Sequence, residues 1–136
     1  MSYELIVERI EAKLRNVAGL SNVISHEPTS VEGPMIISVF DRFERQSMGQ
    51  KTAIHYYTIH TLVIPWQDNQ EAERSLRKFI NSVPAAIDAD PTLGGRCNRA
   101  EITSATAGFG TIGSTKYRIV DFESKVLEKP QFQSGI

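Results

Sequence analysis

The stretch DNQEAERSLRKFINSV, residues 68 to 83, is the best-marked element of the sequence, and it divides the chain into two halves. Asp68 followed by Glu71 has the spacing of a capping box, with an aspartate as the cap residue. Pro84 follows the apolar pattern and favours a helix end before it. The spacing therefore predicts an amphipathic helix over 68–82. Its apolar face consists of Ala72, Leu76, Phe79, Ile80 and Val83.

Segments rich in β-branched and aromatic residues lie on both sides of this helix. Upstream, MIISVFDRFER and TAIHYYTIHTLVIP predict an antiparallel pair of strands over 35–44 and 52–64. The connector between them, RQSMGQK, has the length and glycine content of a hairpin loop. Pro65 ends the second strand because proline lacks a ladder donor. Downstream, RCNRAEITSATA and TKYRIVDFESKVLE predict two further strands joined by a glycine-rich stretch.

The chain begins with SYELIVERIEAKLRNVAGL, in which Ile6, Ile10, Leu14 and Val17 form one helical stripe. The next segment, SHEPTSVEGP, is typical of a loop or a broken edge strand. The predicted order is α-β-β-α-β-β. Such grouping favours an α+β fold, with an antiparallel or mixed sheet built from two hairpins and two helices on one face.

Length and charge restrict the class of protein. The 136 residues predict a single α+β domain over 1–128 and a C-terminal arm over 129–136. Fifteen basic against sixteen acidic residues give a net charge of −1, which supplies no bulk attraction to nucleic acid or to an anionic membrane. With no apparent signal peptide or spanning segment, we expect a soluble, intracellular protein without a membrane partner.

The stretch GFGTIG, residues 108 to 113, matches the G-x-G-x-x-G pattern of dinucleotide-binding folds. That fingerprint requires a helix after the glycines, whereas a strand pattern follows here. We therefore interpret GFGTIG as the tip of the last hairpin. Phe109 and Ile112 are the apolar residues such a tip would expose, which suggests a surface covered in an assembly. The alternative is that both side chains pack back onto the protein's own sheet.

The sequence contains no recognisable arrangement of catalytic, cofactor-binding or metal-binding residues. His55 and His60 are five positions apart in one predicted strand and so lie on opposite faces. Cys97 is the only cysteine, and a buried thiol is its expected role. Arg96 and Arg99 are interpreted as a solvated or interfacial face. Together with Phe109, Ile112 and Phe132 they form the predicted subunit or partner interface.

The segment FINSVPAAIDADPTLGGRCNRAEITSA resembles the small tail-terminator and neck proteins, which join head and tail in long-tailed bacteriophages. In that family an amphipathic helix leads into a similar Asp-Pro and Gly-Gly turn, followed by a glycine-bearing hairpin and a last strand. The resemblance extends over roughly residues 1 to 128. The matching residues are Ile87, Asp88, Asp90, Pro91, Thr92, Leu93, Gly94, Gly95, Arg99, Ala100 and Ile102.

This resemblance implies a structural virion protein, not an enzyme, located at the junction of tail and neck and assembled in the host cytoplasm. Family members form rings, commonly of six subunits, that cap the tail tube and dock it to the head connector. The implied partners are other copies of the chain, the tail tube protein and the head connector protein, with double-stranded DNA passing through the lumen without sequence recognition. Two alternatives stay open: a head-side connector or stopper, and a small-ligand-binding or enzymatic domain.

Overall fold

The computed structural model describes residues 3–26, 28, 31–48, 51–65 and 69–128. Two helices, α1 (Tyr3–Leu14) and α2 (Asn69–Asp88), accompany five strands. The strands are β1 (Asn22–Ile24), β2 (Met35–Met48), β3 (Lys51–Pro65), β4 (Arg99–Ile112) and β5 (Thr115–Leu127).

The strands form one mixed sheet in the order β1-β2-β3-β5-β4. Only β1 runs parallel to its neighbour β2, whereas the other three pairings are antiparallel. The β2–β3 and β4–β5 hairpins meet along β3 and β5, where His60 pairs with Phe122 and Leu62 with Val120. The predicted α+β class and mixed sheet are confirmed.

Both helices pack on the same face of the sheet. Of the stripe predicted from sequence, Ile6, Ile10 and Leu14 are buried in α1, with Ile6 and Leu14 at 0% exposure. The helix ends at Leu14, so Val17 is buried beyond its end. On α2, Phe79 is 3% exposed, and it joins the same core cluster as Leu62 and Phe122 of the sheet. The periodic apolar positions therefore identified the buried face of each helix correctly.

The opposite face of the sheet, which we call the helix-free face, carries a smaller cluster. Met35, Val63 and Tyr117 are buried there, with partly buried hydrophobic residues packed against them. These partly buried residues are Ile24, Val31, Ile37, Ile112 and Ile119.

The predicted element order was wrong in detail because it lacked β1. The short segment Asn22–Ile24 pairs with Met35–Ile37, and three residues are too few to show a period-two pattern. The connector expected between β2 and β3 is largely strand, because the ladder continues to the pair Met48 and Lys51. Asp68, the expected cap of the second helix, lies outside the described residues.

Helix α2 also extends further than predicted. It continues through Pro84 to Asp88, although an interior proline removes one backbone hydrogen bond. Val83 and Ile87 are both essentially buried, at 0% and 1% exposure. Packing of this last turn against the core therefore outweighs the local preference for a helix end.

The turn that joins α2 to β4 contains Asp90 to Gly95, which are among the residues that resemble the tail-terminator and neck proteins. Asp90 accepts a hydrogen bond from the Gly94 N–H (3.1 Å) and forms ion pairs with Lys13 (3.3 Å) and Arg9 (3.6 Å) of α1. The hydrogen bond from Gly94 and the α1 cations hold the pKa of Asp90 below its usual value. Leu93 adopts a positive φ of 51° and is 0% exposed. The turn therefore links the end of α2 to α1 through the ion pairs of Asp90.

Candidate interaction surface

An open cleft lies between α2 and the end of the β4–β5 hairpin. It has a volume of about 520 Å³. We call it the arginine cleft, because three of its lining side chains are arginines. Its lining residues are Gln70, Ala72, Glu73, Arg74 and Arg77 of α2, with Phe109 of β4 and Arg118 of β5.

Arg118 is the fixed member of this cleft. Its Nε donates to Glu73 Oε2 at 3.2 Å, and its Nη1 donates to the Gly108 carbonyl at 2.8 Å. The guanidinium lies 4.5 Å from the centre of the Phe109 ring, and the Lys116 ammonium lies 5.1 Å from the same ring. These contacts hold a charged side chain that is only 16% exposed, and cation–π attraction adds to them.

Arg74 and Arg77 stand three residues apart on α2, so they occupy the same side of the helix. Both are exposed. The cleft contains three arginines against one glutamate, a formal charge of +2. Although the whole chain carries a charge of −1, the positive charge is concentrated locally.

The structure does not bring all the predicted interface residues together. Phe109 lies in β4 with 59% exposure, and Arg99 is at the start of the same strand with its side chain 69% exposed. Ten residues of strand separate them, about 33 Å. Arg96 is partly exposed, in the turn before β4. Phe132 and the 129–136 arm lie outside the described residues.

The interpretation of GFGTIG as a hairpin tip was wrong in its extent. Gly108 to Ile112 belong to β4, and the reversal occurs at Gly113, where φ is +63°. Alternation along the strand puts Phe109 on the helix-bearing face and Ile112 on the helix-free face, where Ile112 packs into the smaller cluster. Phe109 and Ile112 therefore cannot form one apolar patch. A strand, β5, follows Gly113, as its sequence pattern predicted.

A buried polar network crosses the sheet beneath the helices. His60 is 1% exposed, and its ring nitrogens lie 2.8 Å from Ser38 Oγ and 2.8 Å from Ser124 Oγ. Ser124 Oγ donates to the Thr58 carbonyl at 3.4 Å, so it accepts from His60 Nε2–H and leaves Nδ1 to accept from Ser38. Burial lowers the pKa of His60 to about 4.

This Ser-His-Ser arrangement has the residue types of a nucleophile and base, but it is enclosed. Ser38 is 4% exposed and Ser124 is 1% exposed, so a substrate has no approach to either hydroxyl. His55 lies on the opposite sheet face from His60, as predicted. The neutral imidazole therefore acts as a hydrogen-bonded core residue.

The described residues offer neither a metal-ion cluster nor a membrane-spanning helix. No group of three or more histidine, cysteine, aspartate or glutamate side chains suited to a metal ion occurs in the described part of the chain. Among the same residues, neither helix combines the length and apolarity needed to cross a membrane.

Comparison with known proteins defines the fold but not a family. No protein-family model matches the sequence, and no curated protein matches it. One solved structure, whose name states no function, is similar over 96% of this chain and 99% of its own. Its TM-score is 0.50 at 18% sequence identity. At that identity the likeness shows a shared fold alone.

Sequence reasoning missed the arginine cleft. The spacing of Arg74 and Arg77 indicated two cations on one side of α2, but an exposed charged face is the ordinary state of a surface helix. The third cation, Arg118, lies more than forty positions away along the chain. Only the packing of α2 beside the β4–β5 hairpin places the three side chains around one cleft.

Proposed function

We propose that this chain is a structural protein of the neck of long-tailed bacteriophages, a tail terminator. In this role it forms a ring, commonly of six subunits, that caps the tail tube and joins it to the head connector. The proposal rests on the resemblance carried by the Asp90–Gly95 turn and on the sheet edges described next. Double-stranded DNA passes through the lumen without sequence recognition, and the chain catalyses no reaction.

The observation that carries the proposal is the character of the β4 edge. Thr103 to Ala107 are exposed, and their sequence TSATA contains no charge and no proline. Edge strands of monomeric proteins are usually protected by charged residues, prolines or bulges, because an unprotected edge is a template for pairing with another chain. The β4 register shifts between Ile102 and Ser104 and is regular from Ser104 onward. The turn covers only the start of this edge, where Ala100 N–H donates to the Pro91 carbonyl at 2.7 Å.

The other side of the sheet offers a different edge. The short β1 covers only Met35–Ile37 of β2, which leaves the rest of β2 at the edge of the described sheet. Val39, Phe40 and Phe43 in that part are 45%, 52% and 55% exposed. Two unlike edges on one sheet suit a head-to-tail contact, and such a contact closes into a ring when the rotation between subunits allows it.

The orientation of the strands is compatible with this contact. β2 and β4 run in opposite directions, because β2 is antiparallel to β3 and both β3 and β4 are antiparallel to β5. A translated copy of the subunit would therefore place its β2 antiparallel to β4. The two sheets would continue as one, with the helices on a common face.

The first experiment measures ring formation by light scattering and native mass spectrometry. Ala105→Lys combined with Ala107→Lys adds two charges to exposed positions of the β4 edge. Ala105 and Ala107 are exposed, so the subunit should keep its unfolding midpoint while the ring is lost. The matched control is Asn81→Lys with Ala85→Lys, which adds the same charges to exposed positions of α2. Equal ring formation by both variants would contradict the edge contact.

The second experiment locates labelled copies of the chain in assembled particles by electron microscopy. Density between the tail tube and the neck supports the terminator role. Density on the head side of the junction supports the alternative, a connector or stopper. Particles with no density at the junction would refute both.

An enzymatic or small-ligand-binding role is the alternative from another class. The arginine cleft is the feature that favours it, since ligand sites are concave and direct a few polar or charged groups toward the ligand. A metal ion or redox cofactor that co-purifies in stoichiometric amount would favour this alternative. The expected result of native mass spectrometry is the unmodified polypeptide.

A further inference from the structure

We propose that the arginine cleft is a binding site for phosphate groups that carry two or more negative charges. This inference rests on the geometry of the cleft and does not depend on the terminator role. It concerns binding only, with no bond made or broken.

The net positive charge of the cleft favours a ligand with an equal negative charge. Three guanidinium groups and one carboxylate line about 520 Å³. Glu73 is engaged with Arg118 at 3.2 Å, so the charge presented to a ligand comes mainly from Arg74 and Arg77 with support from Arg118. A singly charged anion would leave part of this positive charge unbalanced, whereas a dianion neutralises it.

The donor chemistry favours phosphate over carboxylate. Each guanidinium presents a planar fork of N–H donors that matches two oxygens. One arginine satisfies a carboxylate in this way, but Arg74, Arg77 and the remaining N–H groups of Arg118 offer more donors than its two coplanar oxygens can accept. A tetrahedral phosphate, or two phosphates joined together, directs oxygens to several forks at once.

The cleft is partly organised before any ligand arrives. Arg118 is held by Glu73, by the Gly108 carbonyl at 2.8 Å and by the Phe109 ring at 4.5 Å. A side chain already fixed in place loses less conformational freedom on binding. Arg74 and Arg77 project from a regular helix, so their backbone is fixed even though their side chains are exposed.

The required charge has two sources: a free ligand whose phosphate groups together carry two or more charges, and two successive singly charged phosphates of a nucleic-acid backbone. The test separates them. Pyrophosphate binding is measured by calorimetry at about 50 mM salt, and binding of a 20-base-pair DNA duplex is measured by fluorescence anisotropy. Tight pyrophosphate binding with weak duplex binding identifies a free phosphorylated ligand. Duplex binding that falls steeply with salt identifies a backbone contact, because each neutralised phosphate releases counterions.

Variants assign the binding to the cleft. Arg74→Gln combined with Arg77→Gln should weaken binding at least tenfold, and Arg77→Gln alone should weaken it several-fold. Lys78→Gln is the matched control: it is the next residue on α2 and exposed, it removes the same charge, and it does not line the cleft. It should change the affinity less than twofold. Acetate serves as the single-carboxylate probe and should bind at least tenfold more weakly than pyrophosphate.

Three results would overturn the inference. The first is that neither phosphate probe binds the wild-type chain at low salt. The second is that Lys78→Gln weakens binding as much as Arg77→Gln. The third is that acetate binds as tightly as pyrophosphate. Ring formation is measured separately on the same variants. A variant that forms rings but loses phosphate therefore separates this inference from the terminator proposal.

Discussion

Replacing Phe79 by alanine tests whether α2 is held to the sheet through the face identified from its periodicity. Phe79 is 3% exposed and belongs to the main core cluster. Its ring also reaches the loop after α1, because a Cβ added at Gly19 would lie 3.3 Å from Phe79 Cζ. The substitution therefore leaves a cavity bounded by both helices and the sheet.

Truncation of a buried phenylalanine typically reduces the free energy of unfolding by about 3–5 kcal/mol. An unfolding entropy of about 2.1 cal/mol/K per residue over 136 residues gives roughly 0.29 kcal/mol/K. The expected fall in the unfolding midpoint is therefore roughly 10–17 °C. This range exceeds the uncertainty of a thermal scan by a wide margin.

The assay is thermal unfolding followed by circular dichroism, at a concentration where every variant has the same oligomeric state. Phe109→Ala is the matched control, since it removes the same atoms from a ring that is 59% exposed. Loss of its cation–π contact should lower the midpoint by roughly 2–4 °C, from about 0.5–1 kcal/mol. Equal shifts for the two variants, or a Phe79→Ala midpoint within 4 °C of wild type, would refute the assigned helix face.

Three further predictions concern pH and the glycines. Burial lowers the pKa of His60 from 6.5 to about 4, so the unfolded chain binds the proton at a higher pH than the folded chain. The free energy of unfolding should therefore fall by about 3 kcal/mol as pH drops from 6.5 to 4. Urea titrations should show a smaller change of this free energy with pH for His60→Gln. Gly110→Ala should lower the free energy of unfolding by about 1 kcal/mol, because the added Cβ would overlap the Ile119 side chain. Gly108→Ala is the control, since a Cβ there has no atom within 4 Å. It should leave the urea midpoint unchanged or raised. The pKa of Asp90 is held below 3.8, so Asp90→Asn should be less stable at pH 7 and the difference should disappear in acid as the wild-type carboxyl gains its proton.

The spacing of apolar residues along the chain correctly predicted the two helices, the four long strands and the α+β class. Such patterns are local consequences of burial, because one face of each element contacts the core. The same reasoning failed where tertiary contacts outweighed local preference. Pro84 lies inside α2 because Val83 and Ile87 are buried, and β1 exists because Met35–Ile37 offers a partner.

For the candidate site, the sequence by itself identified Phe109 as an exposed aromatic residue in a glycine-rich stretch, but it predicted a hairpin tip there and did not identify the arginines of α2. Tertiary structure alone decided which of these residues meet. It joined Arg118 to Phe109 and the α2 arginines, and it enclosed His60 between two serines. The physical reason is that spacing along an element fixes the face on which a side chain lies, whereas contacts between distant elements depend on how their faces pack together.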